Sequence, residues 1–306
     1  MVNDKMVNDF MQTTTQYYRV GAHVFAIDAT PEHFAQLPNY APFRIDRPVD
    51  ETEKPVFVIR VHDESMPSVE GWEHIYTDRS DDDMPRIEMY QKKDEWLFRV
   101  SISRDSDVVS VMRCAADWSE VNLYFLPQYT RFAIDNAAML VYAFATTSCD
   151  TLLFHSSVTM RDGKGFMFLG HSGTGKSTHS QQWMTAFPDA ELLNDDNPVL
   201  RILSDNTVRV YGSPWSGKTP CYKAKDVPVS ALVQLAQAPV NEIKRLKMTQ
   251  AYPYILASVS GLKLQPKMMD RLYESIAKLL ELIPVYKLDC LPNPEAAQLC
   301  AQTCLS

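Results

Sequence analysis

The run Gly170-His171-Ser172-Gly173-Thr174-Gly175-Lys176-Ser177 completes the pattern G-x-x-x-x-G-K-S/T directly after the apolar segment Phe166-Met167-Phe168-Leu169, and it constrains this chain more than any other stretch. A strand ending at Leu169 and a helix starting near Lys176 leave the intervening backbone N–H groups facing inward, where they and the helix N-terminus hold phosphate oxygens. In this pattern, the P-loop, Lys176 neutralises the β- and γ-phosphates. The Ser177 hydroxyl ligates Mg²⁺, a hard cation that keeps most of its waters and takes few protein ligands. Thr178 adds a further polar contact. The expectation is ATP or another nucleoside triphosphate, with Mg²⁺, held by Gly170 through Thr178; a plain glycine-rich turn is the alternative.

The chain has 306 residues, 45% hydrophobic and 22% charged, enough for one large core or two modest ones. A formal net charge of -8 argues against nucleic-acid and anionic-membrane partners, which need a basic face. The opening residues Met1-Val2-Asn3-Asp4-Lys5 are polar, and no uninterrupted apolar run is long enough to span a bilayer, so the expected location is the cytoplasm. Cys114, Cys149, Cys221, Cys290, Cys300 and Cys304 form no C-x-x-C pair and have no His at zinc spacing, so reduced, packed thiols are expected.

Residues from about Tyr17 to Phe125 read as strands and loops. In Trp96-Leu97-Phe98-Arg99-Val100-Ser101-Ile102 the apolar residues recur with the period of a half-buried strand. Val56–Val61, Ile87–Tyr90, Val108–Met112 and Val121–Phe125 read as further strands, and Asp81-Asp82-Asp83 as a solvated loop. Together they predict an antiparallel N-terminal lobe. Thr130 is placed to cap a helix from Arg131 to about Thr147, apolar on more than one side and so buried between lobes. Leu152–Met160 and Phe166–Leu169 read as two strands around the turn Arg161-Asp162-Gly163-Lys164-Gly165. After a helix over Thr178–Phe187, Leu192-Leu193 delivers Asn194-Asp195-Asp196. Val199–Leu203 and Thr207–Tyr211 form a hairpin, Val229–Leu235 a strand, Met268–Leu282 a helix, Val285–Leu288 a strand and Pro294–Cys304 a last helix. The predicted class is α/β (α+β), with residues 1–127 as a mainly β lobe for recognition or regulation and 128–306 as the nucleotide-binding domain.

Phosphoryl transfer needs held phosphates and metal, charge neutralised at the γ-phosphate, and a carboxylate or oriented water near the nucleophile. Asp195 and Asp196, at the end of a strand, supply two carboxylates where open α/β sheets place their site residues. One would hold Mg²⁺ and the other accept a substrate hydroxyl proton, with the two roles not separable by sequence. His155, between Phe154 and Ser156-Ser157, reads on its neighbours alone as a hydrogen-bonded core residue. The second glycine-bearing loop, Gly212-Ser213-Pro214-Trp215-Ser216-Gly217-Lys218, offers Lys218 to the γ-phosphate or the acceptor, with Lys223 a weaker candidate. Trp215 is read either as a stacking residue or as a loop anchor.

The series His155, then Gly170-x-x-Gly173-x-Gly175-Lys176-Ser177, then Asp195-Asp196 resembles the C-terminal domain of bacterial HPr kinase/phosphorylase and its wider HPr-kinase-like family, which shares a core with the ATP-dependent phosphoenolpyruvate carboxykinases. The similarity runs from about His155 to Val233. It implies a P-loop kinase core that transfers the γ-phosphoryl group to a hydroxyl acceptor, such as a seryl residue of a protein or peptide, or a small molecule. It also implies that His155 positions or polarises the acceptor, that the Asp pair supplies base and metal functions, and that the chain forms a homo-oligomer, as the hexameric HPr kinases do. One departure stands out: where HPr kinases carry an acidic residue three positions before the second loop's first glycine, this chain has Arg209. Phosphorylase activity and HPr itself as acceptor are therefore not implied. The competing readings are a nucleotide-binding sensor or scaffold without transfer and a carboxykinase-like small-molecule enzyme.

Overall fold

The structure, a computed structural model, describes residues 13–47, 53–78, 85–217, 219–261 and 265–305. The acidic run at Asp81-Asp82-Asp83 and the candidate Lys218 lie outside these residues. The architecture is mixed α/β, with two large mixed sheets and helices packed on them.

Among the described residues the first sheet has nine strands, in the order Arg44–Ile45, Thr14–Val20, His23–Ala29, Val58–His62, Glu120–Phe125, Val108–Cys114, Glu95–Ser101, Arg86–Lys92 and Glu73–Thr77. The strands beginning at Val58, Arg86, Val108 and Glu120 fall close to their predicted positions, but the sheet is not antiparallel throughout. His23–Ala29 pairs in parallel with Val58–His62, which pairs in parallel with Glu120–Phe125. Parallel neighbours need a crossover rather than a hairpin. Here the first crossover contains the short helix Pro31–Ala35 and the 3₁₀ turn Pro38–Phe43, a connection that alternation along single strands does not reveal.

The helix Thr130–Thr146 lies against this sheet and also reaches the second one. Its Ala133, Ile134, Ala137, Val141, Tyr142 and Phe144 share a core with Phe25, Phe98, Trp118 and Val121, and with Leu153, Val199 and Trp215 from the other half of the chain. Thr130 is inside the helix and not its cap. Tyr129 holds the cap position, and the Thr130 hydroxyl donates to the Pro127 carbonyl at 2.8 Å.

The second sheet is built around the long strand Asp226–Gln237. Its first residues pair antiparallel with Val208–Tyr211, while its later ones pair in parallel with Lys164–Leu169 on one side and Val285–Cys290 on the other. Beyond Lys164–Leu169 come Ser156–Arg161 and then Glu191–Asp196. Successive side chains on a strand face opposite ways. Phe166, Phe168, Ala231 and Val233 accordingly pack with Trp183 and Ala297 from the helices Lys176–Ala186 and Pro294–Leu305. Met167, Leu169 and Leu232 pack on the other face with Ile255 and Ile276, from Met248–Ser258 and Pro266–Leu282. Cys300 and Cys304, one turn apart, are buried in the first of these clusters, and the hydrogen bond with Cys304, then burial, raises the Cys300 pKa.

The expected single strand Leu152–Met160 is broken at His155. Thr151–Phe154 pairs with Val199–Ile202, whereas Ser156–Arg161 pairs with Lys164–Leu169 and Glu191–Asp196. The His155 N–H leaves both ladders and donates to the Ser258 carbonyl at 2.7 Å. Among the described residues, no helix is long and apolar enough to cross a membrane.

Trp215 fastens the second glycine-bearing loop to the first sheet. It is buried, stacks on Phe25 at 6.2 Å, meets Tyr142 at a tilt with ring centres 5.2 Å apart, and its indole N–H donates to the Tyr40 hydroxyl at 3.2 Å. The loop anchor is therefore the reading that holds, with no face free for a base. Trp215→Ala is expected to cost about 3–5 kcal/mol, the range for emptying a buried Trp site. A urea midpoint unchanged from the parent would contradict this packing.

Candidate functional site

The glycine-rich loop leaves its strand at Leu169 and enters the helix at Lys176. Gly173 and Gly175 have φ of 78° and 104°, in the region that favours glycine, and an added Cβ at either would meet nothing within 4 Å. Glycine is required there by backbone conformation, and open space lies beside both residues. Gly175 is the N-cap and brings no side-chain acceptor. The first helical N–H groups, which have no intrahelical partner, are thus turned toward that space. His171, Ser172, Gly173, Ser177 and Thr178 are exposed, and Thr174, Gly175 and Lys176 half-buried. Gly170 is enclosed, with Thr174 against it.

Lys176 folds back over the loop. Its Nζ donates to the Gly170 carbonyl at 2.8 Å, to the His171 carbonyl at 3.3 Å and to His155 Nε2 at 2.9 Å. Burial lowers the Lys176 pKa, partly offset by Asp196 and Asp195. On its other side His155 presents Nδ1 to Asp196 Oδ1 at 2.9 Å. The two contacts fix the tautomer: Nδ1–H donates to the carboxylate, and Nε2 accepts from the ammonium. His155 is 35% and Asp196 33% exposed, so this line of three groups borders solvent.

Asp195 sits differently. It is 4% exposed, and its Oδ1 accepts from the Ser177 hydroxyl at 2.9 Å. Its backbone carbonyl accepts from the Gly217 N–H at 2.6 Å and the Ser216 hydroxyl at 3.3 Å. Asp196 has φ of 147°, a conformation rare for a non-glycine residue and one that costs on the order of 1–3 kcal/mol. It is held there by a bridge to Ser216, by His155, and by the Asn197 amide donating to Oδ2 at 2.9 Å.

Among the predicted residues, His155, Lys176, Ser177, Asp195 and Asp196 are brought together. Lys223 instead pairs with Glu191 at 3.0 Å. Arg209 pairs with Asp226 on the neighbouring strand. Sequence reasoning missed the supports. Asn194 is fully buried, donates to Ser213 Oγ at 3.1 Å and accepts from the Asn197 N–H at 3.0 Å, tying the second loop to the acidic strand. The signal was present as Asn-Asp-Asp-Asn, with amides flanking the carboxylates.

The donors suit the expected groups. Open space, unpaired helix N–H groups and an ammonium match a polyphosphate, and the hydroxyl–carboxylate pair of Ser177 and Asp195 matches a hard cation that otherwise keeps water. Among the described residues no group of three or more His, Cys, Asp and Glu side chains is placed to hold a metal. No protein-family model and no curated protein matches this chain.

The helix after the loop carries a second histidine. His179 is buried, its Nε2 accepts from the Trp183 indole at 3.1 Å, and burial holds its pKa down to about 4. The native state therefore excludes a proton that the unfolded chain takes up below its ordinary pKa of about 6.5. Stability from this site is whole above that pH and is lost as pH falls toward 4, by roughly 3 kcal/mol. His23, also held down to about 4 by burial and then by Arg201, acts with the same sign. His179→Gln keeps an acceptor without titrating, so its urea midpoint should fall less between pH 7 and 4 than the parent's. Parallel pH profiles would contradict this.

Proposed function

We propose that this chain is an ATP-dependent kinase of the HPr-kinase-like type, with a P-loop kinase core, acting in the cytoplasm on a hydroxyl acceptor such as a seryl residue of a protein or peptide. The observation that carries this reading is the line Asp196–His155–Lys176 ending at the glycine-rich loop, with Ser177 and Asp195 beside it. Lys176 and the loop N–H groups would bind the triphosphate, and Ser177 and Asp195 would hold Mg²⁺, which would supply charge neutralisation to the phosphates. Once a phosphate oxygen competes for Lys176, His155 Nε2 is free to accept the acceptor's hydroxyl proton. Asp196 holds the opposite ring nitrogen and stabilises the imidazolium. The acceptor oxygen then bonds to the γ-phosphorus as the bond to the ADP oxygen breaks.

Incubation with γ-labelled ATP, Mg²⁺ and seryl peptides or cell protein tests this directly: label should move to an acceptor hydroxyl. A second reading, a nucleotide sensor without transfer, is favoured by Arg209, which is paired with Asp226 where HPr kinases carry an acidic residue. Tight Mg²⁺-nucleotide binding with no product from any acceptor or from water would support it.

A further inference from the structure

A hollow of about 590 Å³ opens beside the glycine-rich loop, within the ~300–1,000 Å³ range of small-molecule sites. Its walls come from the loop and helix that follow Lys164–Leu169, from Leu235 to Pro239 at the end of Asp226–Gln237, and from Cys290 to Pro292 at the end of Val285–Cys290. These three strands run parallel, and ligands of open α/β sheets sit outside such carboxyl ends. The order of the strands fixes the orientation. Ser156–Arg161 and the carboxylate-bearing Glu191–Asp196 lie to one side of the loop strand, and Asp226–Gln237 with Val285–Cys290 to the other. A molecule with phosphates in the loop and its terminal phosphate toward Lys176 and His155 therefore has its other end over this hollow.

From this placement we infer that the hollow is a nucleoside subsite that takes a purine base by shape and apolar contact, holding ATP and GTP alike. The inference rests on the loop being a triphosphate site. Leu235, Pro239, Leu291 and Pro292 supply apolar walls, and no Asp, Glu, Lys or Arg lines the space. Selection of guanine is usually made by a carboxylate facing its ring N–H and exocyclic amine, and no carboxylate is present in the lining. Gln237 is a polar side chain on the wall, and its amide already donates to the Gly173 carbonyl at 3.1 Å. His179 already accepts from Trp183, and the Thr174 and Thr178 hydroxyls lie on the phosphate side of the space, in the glycine-rich loop and at the start of its helix. A pocket that makes no hydrogen bond to the distinguishing groups discriminates weakly.

The half-buried Cys290 thiol in this wall provides a readout independent of catalysis. Cys149 is exposed and the remaining cysteines are buried, so Cys149→Ser leaves Cys290 as the most accessible thiol. Mg²⁺-tripolyphosphate, Mg²⁺-ATP and Mg²⁺-GTP are titrated into the full chain, and Cys290 alkylation is timed with each. ATP and GTP should bind within about tenfold of each other and at least about tenfold more tightly than tripolyphosphate. Both nucleotides should slow alkylation, and tripolyphosphate should not. Leu291→Asn, at a position 39% exposed, should bring nucleotide affinity down toward that of tripolyphosphate without changing tripolyphosphate binding. If tripolyphosphate binds as tightly as ATP and Cys290 stays unshielded, the subsite is wrong while the loop reading stands. If none of the three binds, both are wrong. A preference between ATP and GTP above about tenfold overturns recognition by shape.

Discussion

Asp196→Asn is expected to slow phosphoryl transfer by about 10³-fold while leaving Mg²⁺-ATP affinity within about threefold of the parent. The asparagine keeps an oxygen for the His155 Nδ1–H but removes the charge that favours the imidazolium, so the loss falls on the proton-accepting step. Asp195→Asn should behave differently. Its carboxylate is buried and faces the Ser177 hydroxyl at 2.9 Å, so its loss should weaken the response to Mg²⁺ and be partly offset at high Mg²⁺. Rates and Mg²⁺ titrations on the two variants separate the carboxylate that supports the His155 base from the metal holder. Equal Mg²⁺ dependence in both, or transfer at the parental rate in Asp196→Asn, would remove the basis for the assignment.

Lys176→Met should weaken triphosphate binding by roughly 10²-fold, about 3 kcal/mol, the scale of charge-assisted contacts to phosphate. Without nucleotide the same variant should melt within a few degrees of the parent. Burial lowers the Lys176 pKa, so the loop holds this ammonium at a cost, recovered in part through two carbonyls and the imidazole. A residue kept for the fold would show the reverse: a large drop in melting temperature and little change in affinity. Calorimetric titration of Mg²⁺-ATP beside a thermal melt distinguishes the two, and intact binding by Lys176→Met would exclude the triphosphate loop.

Much of the second half of the chain was legible because its signals are local. The pattern Gly170 to Ser177, the hairpin around Ser204-Asp205-Asn206 and the periodic helices near the C-terminus each depend on neighbours a few residues away. Asp195 and Asp196 were legible as a strand-end pair, but their separate settings were not. One contacts Ser177 and the other His155, and only the fold brings these residues together. The direction of the strands His23–Ala29 and Val58–His62 was hidden for the same reason, since alternation marks a buried face without recording which way a neighbour runs. Trp215 could be read in two ways until Phe25, Tyr40 and Tyr142, more than seventy residues away, were seen to enclose it.

His155 is the one residue between two paired segments that answer to different partners, Val199–Ile202 on its left and Lys164–Leu169 with Glu191–Asp196 on its right. A one-residue slip in either pairing reverses every side chain along the slipped segment and would swing the imidazole away from Asp196. If the proposed transfer holds, this pairing would act as a checkpoint on assembly, leaving molecules with a misaligned strand silent rather than partly active.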